Sequence, residues 1–494
     1  MFSFINEHRR PSRTNIAFII YISLFLDNML LTVIVPILPD YLVHFYSDSN
    51  TSIAIPKSVI YKKFDFHYVP KLIGATKGHV TLENLTITDQ ATLETENGSI
   101  GILLAVKALV QLVFNPIVGN ISSKIGYSIP IAFGTMNLLI ASIIFALGES
   151  YVSLFIARAI HGVGSACISV CGMSLVAQMY IEPEKRSKIM GTILGSIAVG
   201  VLVGYPFGGI VYDIAGKDAP FYILTVLTLT TFIMQLCSLD FSVRQHMSSL
   251  IGDEGHSKWL PLLMDRLIII VVGCIWISTS AMSILEPCLP LWMMEKLHPK
   301  KWQLGTVFIP DSIGYWIGTN FFGGIAYKFG QIKIAIVALI LVGISCIMIP
   351  SANAVFELFL PHFGLGLGIG ILDASLVPLL ATLVDSQCGS DNESDICEVT
   401  PNYGAVYAIQ QIAVSLAYSL APIVGGELVP LIGFPWLMRI MGIANLMYGP
   451  LLIYSGIRES VQKVLQKQSA MPLTAAAEFT AGDGNYKRFY NTVD

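Results

Sequence analysis

Long apolar runs separated by short polar turns cover the chain from residue 15 to residue 457. Each run is long enough to cross the ~30 Å hydrocarbon core of a bilayer as an α-helix. About twelve transmembrane helices are predicted, and a polar gap divides them into two sets of six. The predicted spans are 15–43, 99–118, 128–147, 152–180, 189–212, 219–240, 263–293, 303–326, 332–351, 355–384, 403–430 and 434–457.

The polar segments complete the predicted domain organisation. A loop at 44–98 follows the first helix, the gap at 241–262 links the halves, and a tail at 458–494 shows little periodicity, so we expect it to be disordered. The predicted units are therefore an N-terminus, a six-helix half, a linker, a second six-helix half and a tail, at 1–14, 15–240, 241–262, 263–457 and 458–494.

Composition indicates a membrane protein and does not suggest a nucleic-acid partner. Hydrophobic residues make up 54% of the 494 residues and charged residues only 13%, whereas soluble domains carry roughly 25% charged residues. The net charge of −4 is spread along the chain and forms no basic patch. We therefore expect an all-α protein with the lipid bilayer as its solvent.

Lysine and arginine are distributed unequally between the two sides of the predicted bundle, which sets its orientation. With both termini cytosolic, the opposite short loops hold mainly Lys217, Lys296, Lys300 and Lys301. The cytosolic segments then hold Arg9, Arg10, Arg13, Lys124, Lys185, Arg186, Lys188, Arg244, Lys258, Lys328, Lys333 and Arg458. Loop 44–98 faces the lumen or the outside in this orientation, and its three sequons predict glycosylation at Asn50, Asn84 and Asn97.

Ionisable residues deep in the apolar runs are the strongest functional signal. They are Asp27, Lys107, Arg158, Glu286, Asp311 and Asp373. A charge at this depth costs at least ~2.5–3.5 kcal/mol, so such residues are usually functional. Each one alone could instead form a structural ion pair, but it is improbable that all six do. Two six-helix halves with buried charges in both predict a secondary transporter of the major facilitator type, with its substrate site between the halves.

Two further patterns allow both a structural and a functional interpretation. Small residues recur every fourth position in the fifth helix, at Ser196, Gly200, Gly204 and Gly208, and Pro206 interrupts the helical hydrogen bonds near the end of this helix. This pattern is typical either of a packing seam or of a pliable helix that rocks during transport. Aromatic residues near the buried acids, Trp292, Tyr315 and Tyr418, are either packing residues or cation–π partners of an organic ammonium.

Several stretches make the chain similar to a known family, the vesicular monoamine transporters. They are "LDNMLLTVIVPILPDYL", "IGYSIPI", "ARAIHGVGSA", "VGYPFGG", "ILEPCLPLWMM", "KWQLG", "YWIGTN", "LVPLLATLVD", "YGAVYAI" and "GFPWLM". The resemblance runs from the first helix nearly to the end of the twelfth. It is closer to the monoamine branch than to the acetylcholine branch in "LDNMLLTV", "LPLWMM", "KWQLG" and "GFPWLM".

The resemblance implies a proton-coupled antiporter that loads cytosolic amines into acidic secretory or synaptic vesicles. The amines would be dopamine, serotonin, noradrenaline, histamine or related compounds. The driving force would be a proton gradient made by a vacuolar proton pump, with no cofactor. The expected protein is a monomer with no metal site, its partners being the amine, protons and lipid.

Residue roles follow from the same resemblance. Asp27 and Asn28 would recognise the amine, Glu286 would be a second acidic contact, and Arg158 would line the cavity. Tyr315 and Tyr418 would be pocket aromatics. Trp292 is a further substrate-binding candidate because it follows Glu286, independently of the resemblance. Proton coupling would involve Asp373, Lys107 and Asp27.

Departures from the family pattern concern the acids and one disulfide. Gln411 stands in "YAIQQ" where the family has a carboxylate, and Asp311 stands where the family has a small apolar residue. We therefore expect Asp311 to take over part of the coupling role, although a wetted helix end is the alternative. The cysteine that precedes "KWQLG" in the family is missing, so the family's luminal disulfide cannot form.

Other functions stay open at this point. The chain could carry another cationic solute, such as acetylcholine, a polyamine or an unassigned amine, or act as an efflux antiporter at the plasma membrane. A non-transporting receptor or scaffold is a further alternative, although buried acids in both halves argue against it. No motif brings a nucleophile, a base or a metal set together, so an enzyme is not expected.

Overall fold

The computed structural model describes residues 12–34, 87–239, 241, 259–388 and 402–469. Twelve long α-helices account for most of this part of the chain, and no strand occurs within it. They are α1 (Arg13–Val33), α2 (Ile87–Ile125), α3 (Ser128–Leu147), α4 (Tyr151–Met179), α5 (Pro183–Ala215), α6 (Ala219–Ser238), α7 (Arg266–Lys296), α8 (Ile309–Phe329), α9 (Gln331–Met348), α10 (Phe359–Cys388), α11 (Tyr403–Ile432) and α12 (Phe434–Ser469).

Short helical pieces join some of the long helices. A helix at Leu260–Met264 precedes α7, and another at Lys301–Thr306 precedes α8. Two 3₁₀ segments, Ile349–Ser351 and Val355–Leu358, lie between α9 and α10. Eleven spans in the described residues are long and apolar enough to cross a membrane. The remaining long helix, α8, is too polar for this criterion because it carries Asp311, Asn320 and Lys328.

Two helices extend well beyond their predicted boundaries. The second helix begins at Ile87 rather than at 99, so part of the predicted loop is helical and Asn97 lies on α2. The last helix continues to Ser469, so the predicted disordered tail starts as helix. Both extensions are polar, and a hydropathy pattern cannot detect a helix that continues beyond the membrane. Asn50, Asn84 and residues 35–43 of the first predicted span lie outside the described residues.

Packing divides the helices into the two predicted sets. In the N-terminal half, α1 packs on α5, α3 packs on α4, and α2 packs on α4. In the C-terminal half, α8 packs on α10, α9 packs on α10 and α12, and α7 packs on α11. The halves meet mainly through α5 against α8 and through α2 against α11.

The small-residue ladder of α5 forms a seam against α1. A Cβ atom added at Gly200 would lie 2.6 Å from the Phe25 carbonyl oxygen, and one at Gly208 would lie 2.6 Å from the Val33 carbonyl oxygen. At Gly204 it would collide with the Thr32 hydroxyl. Glycine is therefore required here by the close approach of two backbones, which supports the packing interpretation of this pattern.

One end of the bundle is closed by contacts between the halves. The Ser187 hydroxyl of α5 donates to the Gly323 carbonyl of α8 at 2.7 Å, and the Asn115 amide of α2 donates to the Ser415 hydroxyl of α11 at 3.1 Å. A Cβ atom at Gly119 would lie 2.6 Å from the Ala408 side chain, so α2 and α11 also touch directly. This is the end that carries the short α2–α3, α4–α5 and α8–α9 turns, which the charge distribution predicts to be cytosolic.

Candidate functional site

Asp27 of α1 is held by three donors from two other helices. Its side chain is buried, and its carboxylate accepts hydrogen bonds from the Ser165 hydroxyl at 2.8 Å and from Nε2 of His161 at 3.0 Å. The Lys107 ammonium lies 3.5 Å from the same carboxylate. Charge-assisted bonds of this kind are stronger than neutral ones, so the carboxylate is fixed in direction.

The spacing of polar residues on α4 explains how this site forms. Arg158, His161 and Ser165 are three and four residues apart, so they lie on one face of the helix, turned towards α1. Gly162 on the same helix sits against the Lys107 carbonyl, where an added Cβ atom would lie 2.6 Å away. The missing side chain lets α2 approach α4, which brings the Lys107 ammonium close to Asp27.

Arg158 is fully buried and has little hydrogen bonding. Its Nη2 donates to the Leu31 carbonyl of α1 at 3.4 Å. Its Nε and Nη1 have no partner in the described part of the chain. Asn28, on the next position of α1 after Asp27, is half-buried and donates its amide to the Leu24 carbonyl at 2.8 Å. Arg158 thus contacts α1 one turn beyond Asp27, and the Asn28 side chain bonds to its own helix, so their roles towards a substrate stay predictions.

Asp373 of α10 and Tyr315 of α8 form the central pair of the other half. The Tyr315 hydroxyl donates to Oδ2 of Asp373 at 2.9 Å, and Oδ1 of Asp373 is buried with no partner among the described residues. Glycine again permits the contact, since a Cβ atom at Gly370 would lie 2.5 Å from the Tyr315 carbonyl oxygen. The glycine-rich run before Asp373 therefore brings α8 against α10.

Asp311 lies in the first turn of α8 but is buried, with 7% of its surface exposed. The alternative of a wetted helix end does not describe this position. The Oδ1 atom of Asp311 has no hydrogen-bond partner in the described residues. Gly366 of α10 has no side chain, and the backbone carbonyl and the carboxylate of Asp311 occupy the space where one would lie. A carboxylate in a first helical turn is favoured by the helix dipole, but no cation pairs with it in the described chain.

Glu286 and Tyr418 complete the acidic cluster of the C-terminal half. Glu286 is half-buried on α7 and interacts electrostatically with Asp311 and with Tyr418. Tyr418 of α11 lies near Asp373 and near Tyr205 of α5, so this side chain lies where the two halves meet. Pro287 and Pro290 follow Glu286 and remove two helical N–H donors, which leaves carbonyl groups free near this carboxylate.

Two predicted positions have other surroundings. The Trp292 ring packs on Phe434 at a centroid distance of 5.1 Å and carries the Lys296 ammonium at 5.4 Å from its centroid. It therefore lies in a packing cluster between α7 and α12. Gln411 of α11 donates its amide to the neighbouring Gln410 at 3.1 Å. Within the described residues, no group of His, Cys, Asp and Glu side chains could hold a metal ion.

A polar cluster at the closed end joins the two halves. The fully buried Arg186 of α5 pairs with Asp385 of α10 at 2.8 Å and donates to Thr382 at 2.9 Å. The Tyr403 hydroxyl of α11 donates to the same Asp385 carboxylate at 2.5 Å. Sequence reasoning missed this cluster because all three main residues lie at predicted helix ends, where polar residues are expected. It also missed His161 and Ser165, which the three- and four-residue spacing from Arg158 could have indicated.

Comparisons with known proteins show the family of the chain. The profile of the Major Facilitator Superfamily matches residues 17–392 and 271–480. The synaptic vesicular amine transporter of Homo sapiens is 39% identical over 91% of this chain and 89% of that protein. The vesicular acetylcholine transporter of Torpedo marmorata is 33% identical over 91% of this chain and 83% of its own.

A solved structure supports the fold independently of sequence. The crystal structure of a human organic anion transporter superposes with a TM-score of 0.63 at 16% identity, covering 90% of this chain and 100% of that one. The predicted all-α major facilitator fold is thereby confirmed. The comparisons also indicate a transporter and not an enzyme.

Proposed function

Because the chain belongs to the Major Facilitator Superfamily and, within it, to the vesicular amine transporters, we propose that it is a proton-coupled antiporter of monoamines. It exchanges cytosolic dopamine, serotonin, noradrenaline, histamine or a related amine for protons of an acidic vesicle lumen. Identity is higher to the synaptic amine transporter, at 39%, than to the acetylcholine transporter, at 33%. This difference favours amines with N–H donors.

The observation that carries the proposal is the buried carboxylate of Asp27 beside Lys107. An organic ammonium entering the cavity binds to this carboxylate and takes the place of the Lys107 ammonium, whose contact at 3.5 Å is the longest of the three. His161 and Ser165 keep the carboxylate directed towards the cavity during this exchange. Asn28, Glu286, Tyr315 and Tyr418 surround the rest of the substrate.

We assign the proton-binding step mainly to the C-terminal half. Asp373 and Asp311 each have a buried carboxylate oxygen without a partner, and no cation pairs with either in the described residues. An isolated carboxylate in a poorly solvated site is stabilised by binding a proton. Protonation from the lumen at Asp373 and Asp311 changes the charge of the cavity and favours release of the amine. Lys107 and Asp27 complete the coupled set.

Alternating access then requires the closed end to open. Support comes from the position of the Arg186–Asp385–Tyr403 cluster, which joins α5, α10 and α11 at the closed end of the bundle. A state that accepts cytosolic amine must separate these groups, while the state described here seals them. Differential affinity of the two states for amine and proton supplies the coupling.

The cellular setting belongs to the same proposal. The protein is a multi-pass component of synaptic or secretory vesicles, with both termini in the cytosol and glycans at Asn50, Asn84 and Asn97. A vacuolar proton pump supplies the gradient, so no cofactor is needed. The protein acts as a monomer.

Reconstituted vesicles with an imposed pH gradient test this function. Purified protein in liposomes with an acidic interior should accumulate labelled monoamine, and a proton ionophore should abolish the accumulation. A panel that includes acetylcholine and a polyamine distinguishes the other cationic solutes. A receptor or scaffold would accumulate none of them.

A further inference from the structure

The start of the contact between α8 and α10 holds a histidine whose two ring nitrogens are both unpartnered. His362 lies in the first turn of α10, and its side chain is fully buried. Neither Nδ1 nor Nε2 has a hydrogen-bond partner in the described residues. A buried polar atom without a partner costs about 1–3 kcal/mol, so an imidazole with two such atoms calls for an explanation.

The His362 ring and the Asp311 carboxylate lie in the same contact between the two helices. The ring centroid of His362 lies 5.9 Å from that of Phe308, the residue before α8 begins, and the imidazole is close to the Val307 backbone. A Cβ atom added at Gly366, one turn after His362, would lie 2.8 Å from Oδ1 of Asp311. Asp311 likewise follows Phe308 by one turn, so roughly one helical turn of 5.4 Å separates the imidazole from the carboxylate.

From Asp311 the same contact leads to Asp373, the coupling acid of the proposed function. Tyr315 lies one turn after Asp311 on α8 and interacts with it electrostatically. The Tyr315 hydroxyl donates to Oδ2 of Asp373 at 2.9 Å. Together with His362, these side chains form a row of four that leads inward from the end of the bundle opposite the closed end.

In the described residues, no counter-ion fixes a charge at the outer end of this row. The other titratable side chains on the elements that pack around the row are Tyr205 of α5, Cys274, Glu286, Cys288 and Lys296 of α7, Cys346 of α9, Tyr418 of α11 and Glu357 of the second 3₁₀ segment. The ion pairs of the described chain include neither His362 nor Asp311. Glu286 meets Asp311 as a like charge, and Glu357 accepts from the Asn353 backbone N–H at 2.8 Å. A proton that reaches His362 is therefore free to move on to Asp311.

We infer that His362 is a proton-transfer residue that takes protons from the lumen and passes them to Asp311. Luminal water protonates the free nitrogen of the neutral imidazole, and the other nitrogen releases its proton to Oδ1 of Asp311, which becomes a neutral carboxyl group. The ring is then neutral again, in its other tautomer. The N-terminal end of a helix disfavours an imidazolium, so the ring gives up this proton readily.

The remaining transfer runs along the Tyr315 hydroxyl. The neutral Asp311 donates its proton to the Tyr315 oxygen while the Tyr315 proton passes to Oδ2 of Asp373. Asp311 returns to a carboxylate, and Asp373 gains one proton for each proton that entered at His362. This inference rests on the proposed function, because it assumes that Asp373 couples proton binding to amine transport.

Replacing the imidazole by an amide, which cannot transfer a proton, tests the inference. His362→Asn should lower gradient-driven uptake of labelled amine by liposomes about tenfold, less than the roughly 10²–10⁴-fold of a general acid–base group, because water still protonates Asp311 slowly. Amine–amine exchange without a pH gradient should keep its wild-type rate. At a constant pH difference, the defect should shrink as the liposome interior is acidified, because Asp311 is then protonated directly. A wild-type uptake rate with an unchanged pH profile would overturn the inference.

His298→Asn is the matched control. His298 is exposed at the same end of the bundle, and its φ of 47° is one that asparagine adopts readily. Uptake and its pH profile should therefore match the wild type. If this variant reproduces the defect of His362→Asn, the effect does not depend on the row, and the inference is wrong.

A shared path predicts how two substitutions combine. His362→Asn added to Asp311→Ala should lower uptake no further than Asp311→Ala alone, because both residues act on the same proton. A defect in the double variant equal to the product of the two single defects would contradict this path.

Folding is checked by the exchange rate and by a second variant. His362→Phe keeps a ring against Phe308, so this variant decides the result if His362→Asn does not fold. Loss of exchange together with uptake in both variants would make His362 a structural residue and reject the inference. Absence of gradient-driven uptake by the wild type is a different result, which would reject the proposed function itself.

Discussion

Asp27 in the N-terminal half accepts hydrogen bonds from an imidazole and a hydroxyl and lies beside an ammonium. In the C-terminal half, Asp373 accepts from one tyrosine hydroxyl, and the buried Asp311 has an oxygen with no donor. The first carboxylate is therefore stabilised in its ionised form, and the other two gain stability when they bind a proton. This difference suggests a division of labour between a cation site and proton sites.

The largest effect is expected for Asp27→Asn. Losing one partner of a buried charge pair costs about 2–5 kcal/mol, so uptake should fall at least about thirtyfold. The variant also leaves Lys107 buried without a counter-ion, so Asp27→Asn combined with Lys107→Met is the matched control for folding. Uptake by liposomes and thermal unfolding are the measurements. Uptake at the wild-type rate by either variant would contradict the assignment of Asp27 as the cation site.

Asp373→Asn should have the next largest effect, and of a different kind. The amide cannot bind a proton, so the variant should no longer concentrate the amine inside the liposomes. The amine should reach nearly equal concentrations on both sides of the membrane, while the affinity for amine changes little. Tyr315 can still donate to the amide oxygen, so the pairing of α8 with α10 is kept. Steady-state accumulation and displacement of bound amine are measured in parallel. If the variant still concentrates amine, Asp373 is not the coupling acid.

Asp311→Ala sharpens the comparison within the C-terminal half. If Asp311 shares the coupling role, uptake should fall about tenfold, equivalent to ~1.4 kcal/mol, and its pH dependence should change. Gln411→Asp in the same chain should restore part of the uptake by placing a carboxylate on α11. A normal pH profile for Asp311→Ala alone would assign coupling to Asp373 without Asp311.

The smallest effect is expected for Trp292→Phe. The phenyl ring can still pack on Phe434, so the cost in stability should stay below about 1.5 kcal/mol and uptake should be close to normal. Thermal unfolding and the KM for amine are the measurements. A large rise in KM with normal unfolding would make Trp292 a pocket residue, as its position after Glu286 in the sequence indicated.

Local pattern predicted much of the fold and the acids of the site, but not their partners. The apolar runs gave the helices because each span must satisfy its backbone within the membrane. The apolar runs did not predict where α2 begins, because the helix starts at Ile87 with residues that are mostly polar. Asp27, Lys107 and Asp373 could be identified because charges are rare in apolar runs.

Contacts between distant helices set the remaining features. His161 is uncharged in its common form and therefore does not stand out in "ARAIHGVGSA", yet it is the donor closest to Oδ1 of Asp27. The pairing of Tyr315 with Asp373 depends on Gly370 of α10 meeting α8, which no periodicity within one helix reveals. Arg186 could be placed near a helix end, but its burial against Asp385 could not be predicted.

The central claim is that Asp27 is required for amine binding, whereas Asp373 is required for proton coupling and not for amine binding. Amine–amine exchange in liposomes without a pH gradient measures this most directly, because exchange requires substrate binding and alternating access but no net proton movement. The account predicts that Asp373→Asn retains exchange and loses gradient-driven accumulation, while Asp27→Asn loses both. Loss of exchange in Asp373→Asn with normal folding, or retained exchange in Asp27→Asn, would contradict it.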